Sequence, residues 1–170
     1  LRSLLNAAPR GGEPAAGPGG RPRFRSCGDG ASSGEERGEV VGELRTVVLT
    51  GATRGLGRAL VAELHGRGHV VLGCGRDAVR VAELAGRYPA PCDFAAVDVA
   101  DHEAVQAWAE RLIAAHGPPD LVIANAGLMN SPAPLWDVPA AEFDALMAVN
   151  LGGVASVVRA FVPAMVGAGR

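Results

Sequence analysis

Three glycines in this chain, Gly51, Gly55 and Gly57, have the GxxxGxG spacing of a turn that could hold a phosphate group. A short apolar run at 46–49 precedes them, and a run with apolar residues at helical spacing follows, which indicates a strand, a turn and a helix. Glycines let such a turn approach a diphosphate, which then faces the N–H groups at the start of the helix. We interpret the turn as a dinucleotide site; the alternative is a tight strand–helix turn that binds no ligand.

Arg76 lies where a nucleotide site would discriminate between two cofactors. In NAD sites an acidic residue near the end of the second strand binds the ribose 2′-hydroxyl group, whereas here the second apolar run ends at Gly75 and Arg76 follows. A planar guanidinium group matches the oxygens of a 2′-phosphate, and Arg54 in the glycine turn could add a second positive charge. The sequence therefore favours NADP(H); the alternative is that Arg76 forms a surface ion pair with Asp77.

Polar residues also follow the third and fourth apolar runs. Asp98 could accept a hydrogen bond from the adenine amino group, or it could simply flank a helix. Asn125-Ala126-Gly127 could brace the site through hydrogen bonds, or form an ordinary turn at the end of a strand. Asn150 lies in a helical run, where Asn has only modest propensity, and its amide would need partners if it were buried.

Short apolar runs alternate with helical runs, and these elements would position the candidate residues. The expected strands are 46–49, 70–74, 93–97 and 121–124, and the expected helices are about 58–67, 77–87, 101–116, 140–150 and 154–170. The first helix is expected to place Leu56, Leu60, Val61 and Leu64 on one face. This alternation is typical of parallel βαβ units, so we predict an α/β fold, a doubly wound parallel sheet of Rossmann type, over 44–170. The carboxyl ends of its strands would form one wall of the site.

Composition limits the classes of partner. The 170-residue chain has a formal net charge of −2 and no cluster of Arg in the part expected to fold, so we do not expect it to bind nucleic acid. It contains no apolar run of about 18 residues, so no membrane span is expected. Its three cysteines show no CxxC or Cys/His spacing, which favours incidental thiols over a disulfide framework or a zinc site.

The first 43 residues are expected to form a disordered tail. They are rich in Gly, Pro and Arg without apolar periodicity, so little surface could be buried to offset chain entropy. Residues 1–25 hold five Arg and one acidic residue. Two interpretations stay open: a plain tail on a cytoplasmic protein, and an organellar targeting segment.

The glycine motif, Asp98, Asn125-Ala126-Gly127 and Asn150, in this order, resemble the short-chain dehydrogenase/reductase family over about residues 45–170. The resemblance implies a parallel sheet of about seven strands that begins in the order 3-2-1-4, with NADP(H) across its carboxyl edge. It also implies hydride transfer to the carbonyl group of a small aldehyde or ketone, and a parent protein that is a homo-oligomer. Shorter stretches, such as 67–69 and 135–138, resemble the members that reduce a pterin aldehyde.

By this resemblance each motif residue has an expected role. Arg76 binds the 2′-phosphate, and Asp98 and Val99 bind the adenine. Asn150 matches the family's catalytic Asn, which holds a water molecule in the proton relay. The diphosphate and its neighbouring ribose are held by Gly51, Arg54, Gly55, Leu56 and Gly57. The nicotinamide side is lined by Asn125, Ala126 and Gly127.

The family's other catalytic residues, a Ser and a Tyr-x-x-x-Lys pair, have no counterpart in this chain. All sixteen of its basic residues are Arg, and its one Tyr, Tyr88, precedes Pro89 on the second helix. We therefore expect the N-terminal, cofactor-binding part of a reductase, truncated after about the fourth strand. That part should be inactive by itself and should have its fourth strand at an edge of the sheet. The alternative is a non-catalytic NADP-binding module.

Overall fold

Four parallel strands form the sheet in the computed structural model, which describes residues 43–170. They are β1 (Thr46–Thr50), β2 (Val70–Gly75), β3 (Asp93–Ala96) and β4 (Leu121–Ile123). Their order is β3-β2-β1-β4, so the parallel sheet is confirmed and β4 lies at an edge. The tail expected at 1–43, with its targeting alternative, lies outside the described residues except for Glu43.

Helices connect the strands and cover both faces of the sheet. They are α1 (Gly55–Gly66), α2 (Ala78–Arg87), α3 (His102–His116), α4 (Ala140–Met147) and α5 (Val154–Gly167). Two of them begin at an aspartate that accepts N–H bonds from the first turn: Asp77 caps α2, and Asp101 caps α3. This capping explains why both helices begin close to their expected positions.

The sheet separates two hydrophobic cores because successive strand residues point to opposite faces. On one face, Val48 and Leu72 pack against α3 and α5. The aromatic rings of Trp108 and Phe161 meet edge to face there, with centroids 5.3 Å apart, and join the two helices. The other face, which includes Leu49 of β1, packs against α1 and α2. Coverage on both faces is the doubly wound arrangement predicted from the sequence.

The expectation of two separate helices at 140–150 and 154–170 is wrong. The chain is helical from Ala140 to Gly167 without a break, and a π-helical segment, Ala148–Gly153, joins α4 to α5. Gly153, the last residue of this segment, allows close packing. A Cβ atom there would lie 2.7 Å from Cγ2 of Val99.

This continuous helix, Ala140–Gly167, is the one helix among residues 43–170 long and apolar enough to cross a membrane. Its α5 part contributes Val157, Ala160 and Phe161 to the core of the domain. The core helix of a soluble protein also meets such a test of length and composition. The expectation of no membrane span therefore stays a prediction.

Candidate nucleotide-binding site

A cavity of about 550 Å³ lies where the carboxyl ends of the strands meet. The order of the strands reverses beside β1, the position at which open parallel sheets bind ligands. All the residues expected to bind the cofactor line this cavity: Gly51, Arg54, Gly55, Leu56, Gly57, Arg76, Asp98, Val99, Asn125, Ala126 and Gly127. The sequence-based grouping is therefore a spatial cluster.

The backbone of the glycine turn packs closely at Gly51 and Gly57, where it leaves no room for side chains. A Cβ atom on Gly57 would lie 2.0 Å from the carbonyl oxygen of Gly51, and Gly51 has a positive φ of 66°. Helix α1 also begins without a side-chain cap, because Arg54 at its N-cap position makes no such bond. Unlike α2 and α3, α1 therefore leaves N–H groups of its first turn available to an anion in the cavity.

Asn125 and Thr50 fasten the end of β4 to the glycine turn. The Asn125 amide donates to the carbonyl oxygens of Thr50 (3.0 Å) and Gly51 (3.2 Å). The N–H group of Ala126 donates to Oγ1 of Thr50 at 3.0 Å. These bonds hold two walls of the cavity together, which is the bracing expected of Asn125.

Three arginines and two aspartates line the cavity. Arg76 pairs with Asp98 across 3.8 Å, from Nη1 to Oδ2, and not with Asp77. Asp77 instead pairs with Arg80, whose Nε lies 3.2 Å from Oδ2. Arg54 forms no ion pair within residues 43–170. Three positive against two negative charges leave the wall with a surplus of one positive charge, which suits an anionic ligand.

Asp98 contacts the loop before α3 and also lines the cavity, and its binding of adenine stays a prediction. Its Oδ1 accepts the N–H of Ala100 at 3.0 Å, in the loop before α3. Its Oδ2 faces Arg76 across the cavity wall. The carboxylate is thus fixed by the backbone while one oxygen stays directed at the site.

Asn150 lies beside the cavity and not among the residues that line it. Its side chain is exposed, yet both ends of the amide are bonded. Oδ1 accepts the N–H of Leu128 at 2.7 Å, and Nδ2 donates to the Leu128 carbonyl oxygen at 2.8 Å. Because Leu128 does line the cavity, Asn150 fixes the loop after β4. Its catalytic role stays a prediction.

Leu56 does not share the buried face of the first helix. Its side chain is 69% exposed and lines the cavity, while Val61 is fully buried. The helix begins at Gly55, so Leu56 belongs to a first turn that faces the site and not the sheet.

Sequence reasoning missed several residues that line the cavity: Thr53, Cys74, Gly75, Asp77, Arg80, Val97, Leu128 and Val149. Arg80 carried a usable signal, because it lies one helical turn beyond Arg76 at the start of a helix. Gly75 carried another, since it is a glycine at the end of the second apolar run; in the structure a Cβ atom there would lie 2.6 Å from Cγ2 of Thr53. The remaining residues reach the cavity through tertiary packing, which a residue pattern does not specify.

Cys74 is buried behind the cavity wall. Burial raises the pKa of its thiol to about 12; a backbone hydrogen bond from Gly51 opposes this shift, and the charge of Asp98 adds to it. The thiol is therefore neutral near pH 7 and is not a nucleophile. Among residues 43–170, no three His, Cys, Asp or Glu side chains are grouped to hold a metal ion.

Tyr88 is not among the residues that line this cavity. It is 8% exposed and packs in the core beneath α1 and α2. Its ring contacts His65 edge to face, with centroids 5.0 Å apart, and Phe94 at 6.2 Å. Tyr88 therefore cannot donate a proton to a ligand bound at the strand ends.

The parallel sheet, the glycine turn and the polar strand ends define a nucleotide-binding domain of the kind found in oxidoreductases. Residues 45–170 match the family model described as short chain dehydrogenase. The chain belongs to the short-chain dehydrogenase/reductase family, which confirms the resemblance seen in its motifs.

Individual relatives agree with this assignment. The NADPH-dependent pterin aldehyde reductase of Arabidopsis thaliana is 38% identical over 123 residues, which cover 71% of this chain and 51% of the relative. A metagenomic short-chain oxidoreductase, solved in complex with NADP, has a TM-score of 0.66 and 35% identity over 74% of this chain and 58% of its own. The 3-ketoacyl-(acyl-carrier-protein) reductase of Brucella melitensis, complexed with NADH, has a TM-score of 0.70 and 26% identity, covering 74% of this chain and 52% of its own. The chain thus spans about half the length of these relatives.

Proposed function

We propose that this chain is the cofactor-binding part of an NADPH-dependent reductase that acts on an aldehyde or ketone. A pterin aldehyde is the first substrate to test, because the 38% identical relative is a pterin aldehyde reductase. The observation that carries the proposal is the cavity itself, where an uncapped helix start and three arginines meet. Relatives were solved with NADP and with NADH, so the arginines, and not the fold, support the choice of NADPH.

The residues present fit this cofactor in shape and charge. Nothing lies within 4 Å of a Cβ atom built on Gly55, the first residue of α1, and this open space admits a diphosphate against the backbone of α1. Arg54 and Arg76 would bind the 2′-phosphate, and Oδ2 of Asp98, which faces Arg76 at 3.8 Å, would accept from the adenine amino group. Bound NADPH would supply the hydride, while these residues bind and orient it.

The proton that accompanies hydride transfer needs a donor, and neither a Tyr nor a Lys is among the residues of 43–170 that line the cavity. The chain contains no Lys, and its one Tyr, Tyr88, is buried in the core between the sheet and helices α1 and α2. We therefore propose that the 170 residues bind the cofactor without turning over a carbonyl substrate.

Titration with NADPH and NADH tests the cofactor assignment. We expect NADPH to bind at least about tenfold more tightly, because its 2′-phosphate adds charge-assisted hydrogen bonds to arginine. Arg76→Gln should remove most of this difference in affinity, because it should weaken the binding of NADPH and leave the binding of NADH unchanged. Arg58→Gln, an exposed arginine of α1 outside the cavity, is the matched control. NADH binding as tight as NADPH binding would contradict the proposal.

The alternative function is a non-catalytic NADP-binding module, favoured by the buried position of Tyr88. The coding sequence beyond the codon for Arg170 separates the two. A Ser followed by Tyr-x-x-x-Lys supports the reductase, and a stop codon supports the module. Reduction of an aldehyde by the 170-residue chain at a normal enzymatic rate would contradict the assigned lack of turnover.

A further inference from the structure

The geometry points to Arg80 as a further residue that selects for the 2′-phosphate of the nucleotide, an inference that rests on the proposed function. Arg80 lines the same cavity as Arg54 and Arg76. It lies in the first turns of α2, directly after the end of β2, and its side chain is 49% exposed. The guanidinium group is therefore accessible to a ligand in the cavity.

The two oxygens of Asp77 have separate roles, and this separation makes Arg80 available. Oδ1 accepts the N–H groups of Val79 and Arg80, both at 3.1 Å, and so caps α2. Oδ2 faces Nε of Arg80 at 3.2 Å. If the Arg80 side chain turns away, Asp77 keeps both capping bonds and the helix keeps its start.

A phosphate competes well for this guanidinium group. Ion pairs between half-exposed side chains add little to stability, whereas an arginine–phosphate contact combines a charge-assisted bond with a matching fork of donors. We infer that Arg80 exchanges Asp77 for the 2′-phosphate when the nucleotide binds.

The charge balance of the wall explains why Arg76 does not suffice. Arg76 already faces the carboxylate of Asp98 at 3.8 Å. Without Arg80, two arginines would stand against two aspartates, and a wall of zero net charge would meet the 2′-phosphate. Arg80 supplies the surplus positive charge that an anion requires.

Calorimetric titration of the full chain with adenosine 2′,5′-bisphosphate and with adenosine 5′-monophosphate isolates the 2′-phosphate. Arg80→Gln should weaken binding of the bisphosphate by about tenfold and change binding of the monophosphate by less than about twofold. Asp77→Asn retains a capping side chain but removes the competing charge. It should tighten binding of the bisphosphate several-fold and leave the monophosphate unchanged. Arg58→Gln is the control for loss of one positive charge outside the cavity.

The outcomes separate this inference from the proposed function. If the wild-type chain prefers the bisphosphate but Arg80→Gln behaves like Arg58→Gln, Arg80 only holds Asp77 and the inference fails while the proposed function stands. If Arg80→Gln weakens both ligands equally, Arg80 does not select for the 2′-phosphate and the inference also fails. If the wild-type chain binds both ligands equally, the NADPH assignment fails and the inference fails with it.

Discussion

At the scale of single residues, Cys74 belongs both to the cavity wall and to the hydrophobic core. Its side chain is 1% exposed at the end of β2 and yet borders the site. Burial excludes water from the sulfur, and the charged thiolate is disfavoured there. The residue therefore contributes packing to the site and not reactivity.

The free energy of unfolding should decrease at high pH because of Cys74. The folded thiol has a pKa of about 12, raised from 9.0. Below pH 9 both states hold the proton; above it the unfolded chain loses the proton while the folded chain retains it. Stability should then fall by up to about 1.4 kcal/mol per pH unit as pH rises from 9 toward 12. Urea unfolding of wild type and Cys74→Ala between pH 9 and 11 measures the difference in slope, and equal slopes would refute this prediction.

At the scale of elements, two glycines have different roles. Gly57 lies in the glycine turn at the start of α1, and Gly86 lies near the exposed end of α2. A Cβ atom on Gly57 would meet the carbonyl oxygen of Gly51 at 2.0 Å, and neither backbone can retreat easily. Nothing lies within 4 Å of a Cβ atom built on Gly86, inside α2. The first glycine is required by geometry, whereas the second only adds flexibility to a helix.

Opposite effects on stability are therefore expected for two equivalent substitutions. Gly57→Ala should destabilise the domain by about 1–3 kcal/mol, as overpacking does, and weaken nucleotide binding by shifting the turn. Gly86→Ala should stabilise the domain by about 0.5–1 kcal/mol, because Ala is the better helix former. Urea denaturation followed by circular dichroism measures both. A stable Gly57→Ala variant with normal nucleotide affinity would show that the turn has room after all.

The strands and many of the residues that line the cavity could be predicted from the residue pattern, whereas the π-helical segment and the ion pairs could not. The strands were predictable because short apolar runs alternate with amphipathic helical runs, which is typical of a parallel sheet covered on both faces. The cavity residues were predictable because each follows a strand end, and strand ends of a parallel sheet meet. The π-helical segment was not, since Gly153 marks a close contact with Val99 that depends on the folded packing. The ion-pair partners of Arg76 and Asp77 were not predictable either. The two adjacent side chains point in different directions, so that Arg76 faces Asp98 and Asp77 faces Arg80.

At the scale of the whole molecule, both faces of the sheet are covered, but two surfaces within residues 43–170 could support association. One is the β4 edge, only three residues long, where Leu121 is 40% exposed. The other is an apolar stripe along the continuous helix, formed by Phe143, Met147, Leu151, Val158 and Val166, each at least 38% exposed. The edge offers few free backbone groups, whereas the stripe extends over much of the helix. We expect the stripe to dominate association.

The 170-residue chain should therefore self-associate, and the stripe should be the cause. Leu151 and Val158 are 62% and 46% exposed and lie two helical turns apart on one side. Replacing both by Glu should convert the associated species to monomer, because a charge in an apolar contact loses its hydration. Sedimentation velocity over a dilution series measures the change. Val79→Glu, 72% exposed on α2, controls for added negative charge and should leave association unchanged. If Leu121→Lys disperses the chain and the helix variant does not, the β4 edge is the stronger contact and the stripe is not the cause.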